Sequence, residues 1–119
     1  MWNTKQFSIF EKIKFMTKIA RQGYTPTHPG EVLKDEIEYR KISQKQLAEQ
    51  MGMSYKVLND ILNGRRVLTT ATAMMFEAAL DVPADSLMRL QLKYNMHMAS
   101  NDKSLLAKLA EIRKYAAIL

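Results

Sequence analysis

Apolar residues recur at three- and four-residue spacing in successive stretches of this sequence, each closed by glycine, proline or a short polar cluster. That is the pattern of amphipathic helices. The first stretch runs from Lys5 to Arg21, where Phe7, Ile9, Phe10, Ile13, Met16, Ile19 and Ala20 form an apolar stripe opposite a basic face. Gly23-Tyr24-Thr25-Pro26-Thr27 stops it and reads as a linker. Pro29 suits the first position of a new helix, where a missing amide costs nothing, and Glu31 meets its positive end. Val32, Leu33 and Ile37 then form the buried stripe.

The second core helix opens at Ser43, a capping hydroxyl with Gln46 three residues on, and turns Leu47, Ala48 and Met51 inward. Gly52 ends it where a left-handed residue is needed, and Ser54 caps a third helix two residues later. That helix carries Val57, Leu58, Ile61 and Leu62 to a stop at Asn63-Gly64. A fourth spans about Thr70 to Leu80, ending at Asp81 before Val82-Pro83, and a fifth runs from Ala84 to about Met98 with Leu87, Leu90, Leu92 and Tyr94 on or near its apolar face. Ser100-Asn101-Asp102 interrupts, after which Leu105, Leu109, Ile112, Ala116 and Leu119 repeat as a short coiled-coil-like seam. No strand pattern or internal repeat occurs. The fold class is all-α: an N-terminal amphipathic helical extension over residues 1–22, a five-helix domain over 27–98 and a C-terminal helix over 102–119.

Composition narrows the function. A chain of 119 residues has room for one compact domain with short extensions, and 47% hydrophobic with 25% charged residues is a globular balance. The net charge of +6 favours phosphate-rich or anionic-membrane partners. With no cysteine there is no disulfide framework, thiolate zinc site or cysteine nucleophile. Lys12, Lys14 and Lys18 interrupt the N-terminal apolar stretch, so neither a signal sequence nor a membrane span is expected and the cytosol is the expected location. The glycines are isolated, which leaves no phosphate-binding loop or dinucleotide fingerprint, and no cofactor is expected.

The informative block lies between Ser43 and Gly64. Small Ala48, the turn glycine Gly52 and apolar Leu47, Leu58 and Ile61 are spaced so that two helices cross at close range, as in a helix-turn-helix. Ser54, Tyr55, Lys56 and Asn59 lie at the N-terminal, outward side of the second helix of this pair, where recognition helices meet base edges. Asparagine pairs with adenine and lysine reaches guanine acceptors. Gln44 and Lys45 stand at the positive end of the preceding helix, placed for phosphate, and Arg65 and Arg66 add backbone contacts just beyond. Asp60 is the discordant charge, facing away or accepting from cytosine.

With these motifs placed, His28-Pro29-Gly30-Glu31-Val32-Leu33 followed by the Ser43 to Gly64 block resembles HigA-type antitoxins (the VapI/HigA group) of the Xre/Cro-like, lambda-repressor-like helix-turn-helix superfamily. The likeness covers about residues 27 to 96, with Leu90-Gln91 and Tyr94 fitting the fifth helix. It implies a homodimeric repressor of its own operon that neutralises a RelE-like mRNA endonuclease toxin encoded beside it. The family's usual recognition-helix arginine is Asp60 here, and its aromatic pair at the start of the fifth helix is Ser86-Leu87.

Other signals weigh less. His28 and His97 are too far apart for a shared helical metal site, and His28 reads as a helix-start residue. His97 with Ser100 and Asp102 is a chance triad by composition, so no catalysis is expected. The methionines, Met74, Met75, Met88, Met96 and Met98 among them, read as core filling ahead of an adaptable binding surface. The basic N-terminal helix suits a toxin or the domain itself better than a membrane, and Met16 marks an alternative start. A stand-alone repressor without a toxin needs the same core. An RNA-binding adaptor finds no aromatic cluster beyond Tyr55.

Overall fold

In a computed structural model, Glu11 and residues 26–119 are described, and the predicted Lys5–Arg21 helix otherwise falls outside them. The described residues form six helices and no strand: α1 Pro29–Tyr39, α2 Gln44–Met51, α3 Tyr55–Leu62, α4 Thr70–Leu80, α5 Ala84–Ser100 and α6 Lys103–Ala116. None is long and apolar enough to cross a membrane.

The helix limits follow from local chemistry. Ser43 Oγ accepts from the Gln46 amide at 3.3 Å, Ser54 Oγ from Val57 at 3.1 Å and Thr69 Oγ1 from Thr72 at 3.2 Å, each satisfying a free first-turn donor. Asp102 Oδ1 accepts from both Ser104 and Leu105 at the start of α6. Pro83 has no capping side chain, and the Ala84 amide donates instead to Glu77 Oε2 on α4 at 3.0 Å. Gly52 closes α2 in the left-handed region at φ 68°, with the Met53 amide reaching back to the Ala48 carbonyl at 3.0 Å.

One apolar core runs through the first five helices. Leu33, Leu58, Leu62, Leu68, Ala73, Phe76, Val82 and Leu87 are completely covered, with Ile37, Leu47, Ala48, Ile61 and Leu90 nearly so. α1 packs on α3 and α5, α2 on α3 and α4, and α4 on α5, while α6 packs chiefly on α5 and buries no residue. Gly30 permits a close approach of α1 to the end of α3. A Cβ there would overlap the Ile61 carbonyl oxygen and stand 2.9 Å from its carbon. Two polar ties reinforce the shell: Arg40 donates to the Leu80 carbonyl at 3.0 Å and to Glu36 at 3.1 Å, and buried Gln91 accepts from the Leu68 amide at 2.9 Å.

Two expectations need correction. Leu92 is exposed, because the buried stripe of α5 is Leu87, Leu90 and Gln91, and a residue two positions from Leu90 faces elsewhere on a helix. Nor do the methionines fill the core. Met74, Met75, Met96 and Met98 all face outward, and of those described only Met51 is buried, with Met53 and Met88 packed at the core's edge. Branched aliphatic residues and Phe76 already occupy the interior.

Candidate nucleic-acid interface

α2 and α3 pack on each other, and small Ala48 on α2 is buried in the core at 2% exposure. The Gly52-Met53-Ser54 turn joins them, and Leu58, Ile61 and Leu62 seat α3 on the core. The remaining surface of α3 therefore faces outward at a set angle to α2, the arrangement that lays a recognition helix in the major groove.

The structure joins four of the eight sequence-predicted contact residues, Gln44, Lys56, Asn59 and Arg65, in one hydrogen-bonded chain through Asp60, with Arg66 beside it as an ion pair. Gln44 Oε1 accepts from Asn59 Nδ2 at 3.1 Å, so the start of α2 is tied to the middle of α3. Asn59 Oδ1 accepts from Arg65 Nη2 at 2.8 Å, and Arg65 Nε donates to Asp60 Oδ1 at 3.1 Å. Lys56 Nζ lies 3.2 Å from the other Asp60 oxygen, and Arg66 Nη2 lies 3.9 Å from it. Tyr55 and Lys45 are exposed outside this chain, and Ser54 Oγ accepts in the cap, which leaves its O–H free to donate.

Asp60 is the residue the sequence placed least well. It neither faces away nor stands free for a base: its side chain is only 13% exposed and meets three cations. The Lys56 ammonium and then the Arg65 guanidinium hold its carboxyl below the usual carboxylate range, so it is ionised at neutral pH.

His28 does more than start a helix. Nδ1 accepts from the Gly30 amide at 2.9 Å, so the neutral ring carries its proton on the other nitrogen, and the ring also hydrogen-bonds the Arg66 backbone. Its edge meets Tyr94 with ring centroids 5.0 Å apart. Burial pushes its pKa below the ordinary histidine value, the Arg66 bond opposing. His28 thus anchors the loop that presents Arg65 and Arg66. The HPG motif marked the position, but nothing in sequence linked it to Arg66. Among the described residues, no group of three or more metal-ligating side chains converges.

This geometry defines a helix-turn-helix domain, and residues 33–87 match the helix-turn-helix family. Virulence-associated protein I of Dichelobacter nodosus is 31% identical over 77 residues, which span 64% of this chain and 71% of that one. An addiction module antidote protein of a HigA family from Coxiella burnetii is 30% identical with a TM-score of 0.61, over 76% of this chain and 95% of its own. The Pseudomonas aeruginosa antitoxin HigA, solved with the higBA promoter, is 32% identical with a TM-score of 0.60, over 67% and 90%. The chain belongs to the VapI/HigA family of Xre-like helix-turn-helix proteins.

Proposed function

We propose that this chain is the antitoxin of a type II toxin–antitoxin module, which represses its own operon as a homodimer and neutralises a RelE-like mRNA endonuclease. The observation that carries the reading is the α2–turn–α3 unit, with Lys45, Tyr55 and Lys56 exposed on it and Gln44, Asn59 and Arg65 hydrogen-bonded between its two helices and the loop beyond. Gln44, Lys45, Arg65 and Arg66 address phosphates, while Ser54, Tyr55, Lys56 and Asn59 address base edges.

One recognition helix reads only a few base pairs, so two-fold pairing is needed for a palindromic site, with recognition helices about 34 Å apart. The α6 face favours that pairing: Leu105, Ile112 and Ala116 stay exposed in the single chain and Leu109 between them half-buried, a stripe at four- and three-residue spacing that a second copy would cover. Residues 27–98 then form the DNA-binding domain and 102–119 the dimer arm. Toxin capture is assigned in part to the amphipathic segment of residues 1–22.

The test is co-expression. The small reading frame beside this chain should arrest growth alone, and this chain should restore growth and silence a reporter driven by the operon promoter. Silencing without rescue would make it a stand-alone repressor. Restored growth with a chain beginning at Met16 would remove the toxin role of the N-terminal segment. A monomer by light scattering, with or without DNA, would exclude the dimer.

A further inference from the structure

The α3 surface and the loop after it carry Lys56, Arg65 and Arg66, and one carboxylate engages all three. A cluster of free cations on a recognition surface attracts any phosphate backbone whatever its sequence, because that attraction is electrostatic and scales with the number of neutralised phosphates. Asp60 subtracts charge at the centre of the cluster. It also fixes Arg65 by its Nε, which leaves Nη2 on Asn59 Oδ1 at 2.8 Å, and Asn59 in turn reaches Gln44. The side chain best suited to read adenine is therefore held on both sides before any DNA arrives, and ordering lost beforehand is not charged again on binding.

We propose that Asp60 is a specificity-determining positioning residue: it fixes Arg65 and Asn59 in the reading geometry and suppresses binding to DNA of arbitrary sequence. This rests on the reading of α3 as the DNA-contacting helix. The depressed carboxylate pKa supports it, since the group keeps its charge across the physiological range. Nothing in the composition pointed here. The three ion pairs convert an apparent defect in the basic surface into a device for selectivity.

The experiment uses the full chain and two duplexes of equal length, one enriched from a random library by the wild-type protein and one scrambled. Asp60→Asn keeps the shape and an acceptor for Arg65 but removes the charge. Freeing about one cation should steepen the salt dependence on the scrambled duplex by about 0.9 in log–log slope and tighten its binding roughly eightfold near 0.1 M salt. The enriched duplex should gain less, so the ratio between the two falls. A purely structural role for Asp60 would not steepen a salt slope. Unchanged slope and scrambled-DNA affinity, or an unchanged ratio, would overturn the proposal. Should Asp60→Asn fail to fold, Arg65→Lys serves instead, because it keeps the cation but loses the guanidinium bridge from Asp60 to Asn59: scrambled-DNA binding and its salt slope should match wild type while enriched-DNA binding weakens, and full retention on the enriched duplex would overturn the proposal. Failure of the wild-type chain to enrich any sequence would defeat the DNA-reading assignment itself and this role with it.

Discussion

Replacing Gly30 with alanine tests the close seat of α1 against the end of α3. The added Cβ would overlap the Ile61 carbonyl oxygen, 2.9 Å from the carbonyl carbon, and a backbone obstacle cannot rotate away as a side chain can. Relief requires lifting the start of α1 from the end of α3, where Leu33 and Ile61 belong to the same core and dispersion contacts fall off within an ångström. Overpacking of this kind costs about 1–3 kcal/mol, and alanine's smaller unfolded-state entropy returns about 0.4–1 kcal/mol. The net loss should be about 1.3 kcal/mol, or a melting temperature lower by roughly 5–10 °C for a domain of this size. Gly52 supplies the control. Its φ is 68° but a Cβ there meets nothing within 4 Å, so its cost is conformational, about 1–2 kcal/mol. Asparagine, which tolerates the left-handed region, should therefore recover much of the loss at Gly52 and none at Gly30. Thermal denaturation followed by circular dichroism reads all four variants. A Gly30→Ala chain that melts at or above wild type would refute the steric account.

Three further outcomes are expected. Lys45→Ala should weaken enriched and scrambled duplexes alike and flatten the salt slope by about 0.9, whereas Asn59→Ala should cost about 1–3 kcal/mol on the enriched duplex alone; equal losses for Asn59→Ala would withdraw the assignment of α3 as the reading helix. Gln91→Leu strands the buried Leu68 amide and should lower stability by about 1–3 kcal/mol in denaturant titration, with an unchanged midpoint counting against the role given to that bond. His28 binds protons less readily folded than unfolded, so its stabilising contribution is present above the ordinary histidine pKa of about 6.5 and is lost as pH falls from there through the folded value; His28→Gln should flatten the fall in melting temperature across that range, and an undiminished fall would assign it to other groups.

The helices were legible because their limits are written locally. Ser43 caps α2 and Ser54 caps α3, Gly52 breaks α2, and Asp81 with Val82-Pro83 ends α4, each within a few residues of the element it bounds. The helix-turn-helix was legible for the same reason, since Ala48, Gly52 and Leu58 act within one short block. What escaped the reading spans distance. The Arg40 bond to Leu80 joins positions 40 residues apart and the Gln91 bond to Leu68 joins positions 23 apart, and no local spacing announces either. Asp60 escaped differently: Lys56 and Arg65 are near neighbours in sequence, but a carboxylate among cations reads equally well as a misplaced charge and as a hub until the geometry is known. The methionines misled because hydrophobicity predicts burial only in competition with other residues, and the branched aliphatic residues had already filled the space.

The close seat at Gly30 and the bridge at His28 meet beside the proposed DNA-facing surface. Gly30 fits against Ile61 near the end of α3, and His28, two residues earlier, binds the backbone of Arg66 just beyond it while Tyr94 of α5 holds the ring's edge. The start of α1 therefore fixes where α3 ends and where its trailing arginines emerge. Asp60 then orders those arginines from the α3 side. Displacement of α1 should consequently reach DNA binding without touching any contact residue. A Gly30→Ala chain that remains folded at low temperature should bind the enriched duplex more weakly while its salt slope stays near wild type, because the phosphate-facing charges are kept and only their placement relative to Asn59 changes. An unaltered affinity for the enriched duplex would show that the α1–α3 seat supports stability alone.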